Sequence, residues 1–278
     1  MINLLRVQFF RIKRAAYFWI MLALCAALPL LSVGVLYLSA LALSVTGGVP
    51  ADSVMSQLKN SDLTSAQLSG MAYLPSNSTI MAAICVAVLL CAEFRQHTVR
   101  NAVTAGVTAR ETGFAYLLTA MFVGTVYFLT EFVFTLTFFG IFFGFGNTAA
   151  GTATTQVLIS FAGGMACTAF SVCLTCAFVL GTRRTSVAVT LPLVILALGI
   201  SMISSACHYA ATAIVKNASS QLLQCLPLVN VAEAAAAATQ GALPTHLNVA
   251  MTALYYLLGG AAIILPMTLS TFPKNNVN

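Results

Sequence analysis

Long apolar runs that carry almost no charge constrain this sequence more than any other feature. A helix needs about 20 predominantly apolar residues to cross a hydrocarbon core of about 30 Å. None of the runs shows the period-two alternation of a membrane-spanning barrel, so their backbone groups must be satisfied within helices. We therefore predict six membrane-spanning helices, which cover Tyr17–Leu43, Pro75–Ala92, Gly113–Phe143, Val157–Leu180, Val187–Ala206 and Val249–Leu269.

The composition excludes the soluble classes of protein. Hydrophobic residues make up 60% of the 278-residue chain and charged residues only 6%, whereas an average soluble domain carries roughly a quarter charged residues. So few charges cannot solvate a globular surface of this size, and a disordered chain needs the opposite balance. We expect an all-α integral membrane protein in which residues 1–278 form one transmembrane domain.

The distribution of Lys and Arg predicts how the chain is oriented. Its formal charge of +6 does not indicate nucleic acid as a partner, because the basic residues lie in short clusters between the apolar runs. Ten of the 12 fall on one predicted side, and Lys59 and Lys216 fall on the other. An excess of Lys and Arg marks the cytoplasmic side, so both termini are expected in the cytoplasm.

The segments outside the spans have distinct characters. Residues 46–74 are polar and Ser-rich, and residues 207–247 are apolar but too broken to span, so both are predicted to be extracytoplasmic loops. The second loop is expected to contain one or two helices that lie on the outer face or dip into it. Residues 1–16 are predicted to form an interfacial helix at the cytoplasmic leaflet, where anionic lipids favour its basic residues. Its apolar face would contain Ile2, Leu5, Phe9 and Ile12.

No motif in the sequence carries recognisable catalytic chemistry. It lacks the phosphate-binding loop G-x-x-x-x-G-K-[ST] and the hydrolase motifs H-E-x-x-H and G-x-S-x-G. The three histidines have no metal-ligand spacing, and most of the eight cysteines lie inside apolar runs. Cys207 and Cys225 share the predicted outer side, where a disulfide could form. We therefore expect no enzyme activity, no metal and no cofactor in this chain.

Glu131 is an ionisable residue inside an apolar run, where insertion costs about 2.5–3.5 kcal/mol. It could serve the transport pathway, through substrate contact or a proton relay. It could equally be a hydrogen-bonded residue at a helix interface near the outer edge, since it lies about 30 Å along the helix from Arg110. Nearby, Gly140 and Gly144 have the small-xxx-small spacing that favours close contact between helices.

The cytoplasmic loop of residues 93–112, between the second and third spans, has more internal organisation than a plain connector needs. Thr98 can cap a short helix on which Val99, Ala102 and Val103 share one face.

Two further signals would fix where that short helix ends. Gly106 can supply a left-handed stop, and Thr108 and Glu111 have the spacing of a capping box that starts the third span. Three arginines surround the segment: Arg95, Arg100 and Arg110. This pattern predicts a short helix, held by rigid corners, that docks on a partner.

The same loop follows a pattern in which an acidic residue closes the second span, followed by T-[VIL]-R-N and then G-V-[ST]-x-R before the third span. The residues at these positions are Glu93, Thr98, Val99, Arg100, Asn101, Gly106, Val107, Thr108 and Arg110. His97 stands where the pattern often has Gly. In this loop and in its six-span layout the chain resembles the permease subunits of ABC type-2 transporters, which include bacterial multidrug and bacteriocin-immunity permeases.

The resemblance implies a multi-pass subunit of an ATP-driven exporter in the bacterial cell membrane. Its partners would be a separately encoded ABC ATPase subunit, a second permease copy or a paralogous permease, and the lipid bilayer. The ATPase-coupling residues would be Glu93, Arg95, Thr98, Val99, Arg100, Asn101, Val103, Gly106 and Arg110. The alternative function is a proton-coupled secondary transporter that uses Glu131, and an intramembrane enzyme is disfavoured by the missing catalytic groups.

Overall fold

The computed structural model describes residues 2–47, 76–96, 108–144, 150–182 and 184–195, together with residues 56, 64, 67, 68, 71, 106, 254 and 257–262. In these ranges the chain is helical and contains no strand. The helices are α1 (Ile2–Arg14), α2 (Ala16–Gly47), α3 (Asn77–Arg95), α4 (Ala109–Phe142), α5 (Ala150–Thr182) and α6 (Thr185–Val194).

Four of these helices are long and apolar enough to cross a membrane. The qualifying stretches are Ala16–Ala42, Asn77–Arg95, Glu111–Phe142 and Val157–Thr182, which confirms the first four predicted spans. The chain is thus a multi-pass helical membrane protein. The fifth predicted span begins within α6, and Leu254 and residues 257–262 of the sixth are helical. The rest of those two spans, residues 207–247 and both chain termini lie outside the described residues.

Successive long helices run antiparallel and share one core. α3 packs against α4 and α5, and α2 packs along α4. Buried side chains of α3, α4 and α5 meet in this core, among them Val86, Leu90, Val123, Tyr127 and Val172. We call the end where α1 meets the start of α2 and α4 the basic end, and the opposite end the far end. The basic side chains that the structure describes all lie on α1 or beside this end: Arg6, Arg11, Lys13, Arg14, Arg95 and Arg184.

Two glycines allow α4 and α5 to approach closely. A Cβ atom on Gly124 of α4 would lie 2.8 Å from Cγ2 of Val172 on α5. On the other helix, a Cβ atom on Gly164 would overlap Cε2 of Phe128, whose side chain is fully buried. Val172 of α5 thus packs against Gly124 of α4, and Phe128 of α4 packs against Gly164 of α5. Small residues allow membrane helices to pack closely in this way.

The expected close contact between helices is not found at Gly144, the second glycine of the predicted Gly140–Gly144 pair. α4 ends at Phe142, and Gly144 follows with a φ of +75°. Among the residues that the structure describes, no atom lies within 4 Å of the position that a Cβ of Gly144 would take. Gly144 thus ends the helix in the left-handed conformation instead of packing against a neighbour.

One side of α1 packs on the bundle. Gln8 and Ile12 are buried there, while Phe9 is 40% exposed and touches the Phe122 ring edge-on. The neighbouring helices therefore cover the side of α1 that passes through Gln8 and Ile12, and the interfacial position of the helix stays a prediction.

Part of the segment between α2 and α3 packs into the far end. Thr64, Leu68 and Met71 are buried, and the latter two contact Phe128 and Phe132 of α4. The Thr64 hydroxyl donates to the carbonyl of Gly144 over 2.6 Å. These described residues of the polar, Ser-rich segment 46–74 therefore help to close the far end of the bundle.

The close approach of α4 and α5 predicts an unequal response to adding a single methyl group. Gly164→Ala should destabilise the chain by about 1–3 kcal/mol, because the Phe128 ring that meets the new Cβ is buried and cannot turn away. Thermal unfolding of the detergent-solubilised chain measures the effect.

Gly34→Ala on α2 is the matched control, since no atom of the described part of the chain lies within 4 Å of the new methyl group. It should be neutral or stabilise by up to about 1 kcal/mol. Equal unfolding temperatures for Gly164→Ala and the unaltered chain would show that the two helices do not touch at this glycine.

Candidate functional site

At the basic end, a buried carboxylate joins three helices. Glu93 lies two residues before the end of α3 and is 6% exposed. Its Oε1 accepts a hydrogen bond from the guanidinium of Arg11 on α1, and the two side chains form a salt bridge. Its Oε2 accepts from the hydroxyl of Tyr116 on α4 over 3.2 Å. The predicted coupling residue Glu93 is therefore the point at which α1, α3 and α4 are tied together.

The rest of the predicted docking segment is only partly described. Arg95 is exposed at the end of α3, and Arg110 lies in the first turn of α4. The residues that would form the short helix lie outside the described residues: Thr98, Val99, Arg100, Asn101 and Val103. The side chain of Arg110 lies outside them as well.

The two predicted corner signals after that segment are both confirmed. Gly106 has a φ of +89°, a conformation that side-chain-bearing residues rarely adopt. The Thr108 side chain accepts from the Glu111 backbone over 3.3 Å, and Glu111 accepts from the Thr108 backbone over 3.1 Å. This reciprocal pair is the capping box, and α4 begins immediately after it at Ala109. The chain thus enters α4 through a fixed turn.

α4 is longer than a membrane requires. Its 34 residues correspond to about 51 Å, against about 30 Å of hydrocarbon. α1 meets α4 at Phe122, through the ring of Phe9, and lies near Tyr116, through the shared partner Glu93. These residues are about 10–20 Å from the first residue of α4. The first turns of α4 therefore extend past α1, towards the predicted docking segment.

At the far end, Glu131 satisfies the start of another helix. Its Oε2 accepts a hydrogen bond from the backbone N–H of Ser78 over 2.7 Å, and its side chain is buried. Ser78 lies in the first turn of α3, whose own N-cap residue, Ser76, makes no capping hydrogen bond. A helix N-terminus carries partial positive charge, so a carboxylate is favourable there. Glu131 is therefore an N-terminal cap that α4 supplies to α3.

Hydroxyl groups surround this cap. The Ser76 hydroxyl lies 2.8 Å from that of Ser78 and 3.1 Å from that of Thr79. Thr79 in turn lies 3.2 Å from the hydroxyl of Thr168 on α5. The start of α3 is thus held by polar contacts from α4 and α5, as buried polar groups in an apolar bundle require.

The structure confirms one part of the packing interpretation of Glu131, because its side chain is hydrogen-bonded and buried at a helix interface. Along α4, Glu131 lies about 14–23 Å from Tyr116 and Phe122, the residues near α1, and about 30 Å from Arg110. Its position near the outer edge of the membrane stays a prediction.

Sequence reasoning missed the partners of both carboxylates. Arg11 and Ser78 are 82 and 53 residues away from Glu93 and Glu131, and no local motif links them. One signal was available: Ser76, Asn77, Ser78 and Thr79 form a polar cluster at the start of the shortest predicted span, where a buried helix start needs acceptors.

Neither a metal-binding cluster in the described residues nor a similar protein of known function indicates what this chain does. Among the described residues, no three His, Cys, Asp or Glu side chains gather in a way that could hold a metal ion. Comparisons with models of protein families, with curated proteins and with solved structures find no match to this chain. The helix contacts and the loop of residues 93–112 are therefore the features that bear on function.

The salt bridge at the basic end predicts strong coupling between Arg11 and Glu93. Arg11→Gln should destabilise the chain by about 1–3 kcal/mol, because it leaves a buried carboxylate without its counter-charge; the partial exposure of Arg11 lowers this cost. Adding Glu93→Gln should recover part of the loss, giving a coupling energy of about 0.5–3 kcal/mol in a double-mutant cycle.

Arg6→Gln is the matched control for that cycle, since Arg6 is exposed on the same helix. It should change the free energy of unfolding by less than about 0.5 kcal/mol. Strictly additive effects of Arg11→Gln and Glu93→Gln would show that the pair contributes nothing to stability.

If Glu131 caps α3, the stability of the chain should depend on an acceptor oxygen at position 131 more than on its charge. Glu131→Gln keeps a carbonyl oxygen for the Ser78 N–H and should cost less than about 1 kcal/mol, whereas Glu131→Leu leaves that donor unsatisfied and should cost about 1–3 kcal/mol. Thr137→Val, at an exposed site on the same helix, serves as the control. Comparable unfolding temperatures for the Leu and Gln variants would argue against a cap.

Proposed function

We propose that this chain is the membrane subunit of an ATP-driven exporter and that residues 93–111 seat on a separately encoded ATPase. The observation that carries the proposal is that fixed structure brackets this segment on both sides. At its start, Glu93 is held by Arg11 and Tyr116, and at its end lie Gly106 with its positive φ and the Thr108–Glu111 capping box. A plain connector has no need of such ends, whereas a segment that transmits force does.

The long helix after the capping box supports this proposal. α4 runs as one helix from Ala109 to Phe142, so a displacement at its first turn moves its far end as well. α3 is joined to α4 near both of its own ends, by Glu93 at one and Glu131 at the other. A push on the segment between them would therefore move α3 and α4 together. In our proposal that movement opens and closes a path between two copies of the chain, or between the chain and a paralogous permease.

The alternative is a proton-coupled secondary transporter, and the burial of Glu131 inside a span favours it. The hydrogen bond from Ser78 gives Glu131 a structural purpose that needs no proton transfer. Glu131→Gln distinguishes the two functions, since it should abolish proton-coupled transport but leave ATP-driven transport intact.

Variants of the loop test the exporter proposal directly. Gly106→Val forces a β-branched residue into positive φ, which should distort the corner before α4. Val103→Asp would bury an unpaired charge if Val103 contacts the ATPase, at a cost of several kcal/mol. Both variants should insert in the membrane yet lose co-purification with the ATPase subunit, or lose ATP-dependent export.

Lys59→Glu, in the predicted outer loop, is the control and should keep both properties. The purified chain alone should hydrolyse no ATP. If Gly106→Val and Val103→Asp associate with the ATPase and export as well as Lys59→Glu does, the loop is an ordinary connector and the exporter proposal fails.

A further inference from the structure

The outward face of α1 combines cations with large apolar side chains. Arg6, Lys13 and Arg14 are exposed, and so are Phe10 and Val7, at 55% and 50%. The guanidinium of Arg14 lies 4.3 Å from the centroid of the Phe10 ring. Water solvates the cations but not the apolar side chains between them. A membrane interface suits both, because apolar groups reach the acyl boundary while charged groups remain among the head groups.

The opposite face of α1 is already occupied by protein. Gln8 and Ile12 are buried against the bundle, and Arg11 is bonded to Glu93. The side of α1 that passes through Gln8 and Ile12 is therefore not available to lipid. Any contact between α1 and the bilayer must therefore use the outward face.

Helical spacing aligns this face into a stripe. Arg6, Phe10 and Arg14 are four residues apart, so they lie one above another on the same side of α1. The stripe is fixed beside the first span, since the Trp19 indole N–H donates to the carbonyl of Lys13 over 3.0 Å. Trp19 is itself 52% exposed at the start of α2, where interfacial tryptophans are enriched in membrane helices. The stripe thus lies at the level expected for lipid head groups.

We propose that the stripe of Arg6, Phe10 and Arg14, together with Lys13, is a binding surface for anionic phospholipid. The lipid phosphate would lie between the guanidinium groups, with Phe10 against the upper acyl region. An acidic protein surface would pair with the arginines but would leave Phe10 and Val7 against polar groups, so lipid fits the whole face better. This proposal requires only that the chain resides in a membrane and does not depend on ATP-driven transport.

Fluorescence quenching of Trp19 tests the proposal at the right place, because it is the single tryptophan of the chain. The full chain is reconstituted in phosphatidylcholine vesicles that contain either brominated phosphatidylglycerol or brominated phosphatidylcholine. The anionic lipid should quench Trp19 more strongly at equal content. Arg6→Gln/Arg14→Gln should weaken the relative association of the anionic lipid by about fivefold for each arginine.

Two further variants separate the stripe from general charge. Arg95→Gln/Arg184→Gln removes the same charge from exposed residues at the basic end but off α1, and should keep the lipid preference. Arg6→Lys/Arg14→Lys keeps the positive charges and should keep most of the preference for anionic lipid. Thermal unfolding of each variant verifies that α1 remains packed on the bundle.

Three outcomes would overturn the proposal. The first is equal quenching of the unaltered chain by the two brominated lipids. The second is an equal loss of preference in the α1 variant and in Arg95→Gln/Arg184→Gln. The third is an unchanged lipid preference in Arg6→Gln/Arg14→Gln together with lost ATPase co-purification, which would assign the face to protein docking instead.

Discussion

Two buried carboxylates join α3 to α4, and the rest of the bundle is arranged around that pair. The Tyr116 hydroxyl donates to Glu93 near one end, and the Ser78 N–H donates to Glu131 near the other. Ser78 and Glu93 are as far apart on α3 as Tyr116 and Glu131 are on α4, fifteen residues in each case. Two antiparallel helices joined at equal spacing cannot slide past each other without breaking one of these contacts.

The unequal lengths of the two helices explain why the far contact needs an acidic residue. α3 has 19 residues and α4 has 34, so α3 starts well short of the end of its partner. In an apolar environment, unsatisfied backbone N–H groups at a helix start cost several kcal/mol each. Glu131 supplies an acceptor at that start, so the Ser78 N–H is not left unsatisfied. The surplus length of α4 is divided between the far end, past Glu131, and the basic end, where it leads to the segment of residues 97–105.

The sequence predicted the spans and helix starts, which depend on nearby residues, and missed the contacts between helices that are distant in the chain. Apolar runs located the first four spans, and the spacing of Thr108 and Glu111 located the start of α4, because the causes lie within a few residues. The contacts of Glu93 and Glu131 join distant parts of the chain, so no local pattern contains them. The spacing of Gly140 and Gly144 indicated a close contact that Gly144 does not make, whereas Gly124 and Gly164 make one, because spacing alone does not show which glycine faces a neighbour. On α1, the burial of Gln8 depends on packing against the bundle and could not be read from the apolar periodicity.

These contacts also indicate which helices can move relative to each other. α3 and α4 are joined by two polar contacts, and α4 and α5 interlock at Gly124 and Gly164, where a sliding motion would drive Phe128 into a backbone. α2 is the least enclosed of the four spans, since 17% of its apolar stretch is buried inside the described bundle, against 44–56% for the other three. It is nevertheless packed closely along α4. The rings of Phe18 and Tyr127 stack, the Tyr127 hydroxyl donates to the Phe18 carbonyl, and Val33 packs on Phe139 and Phe143. The salt bridge of Arg11 with Glu93 joins α1 to α3 in the same way. A displacement of α1 and α2 against the other helices would therefore have to break polar and packing contacts together.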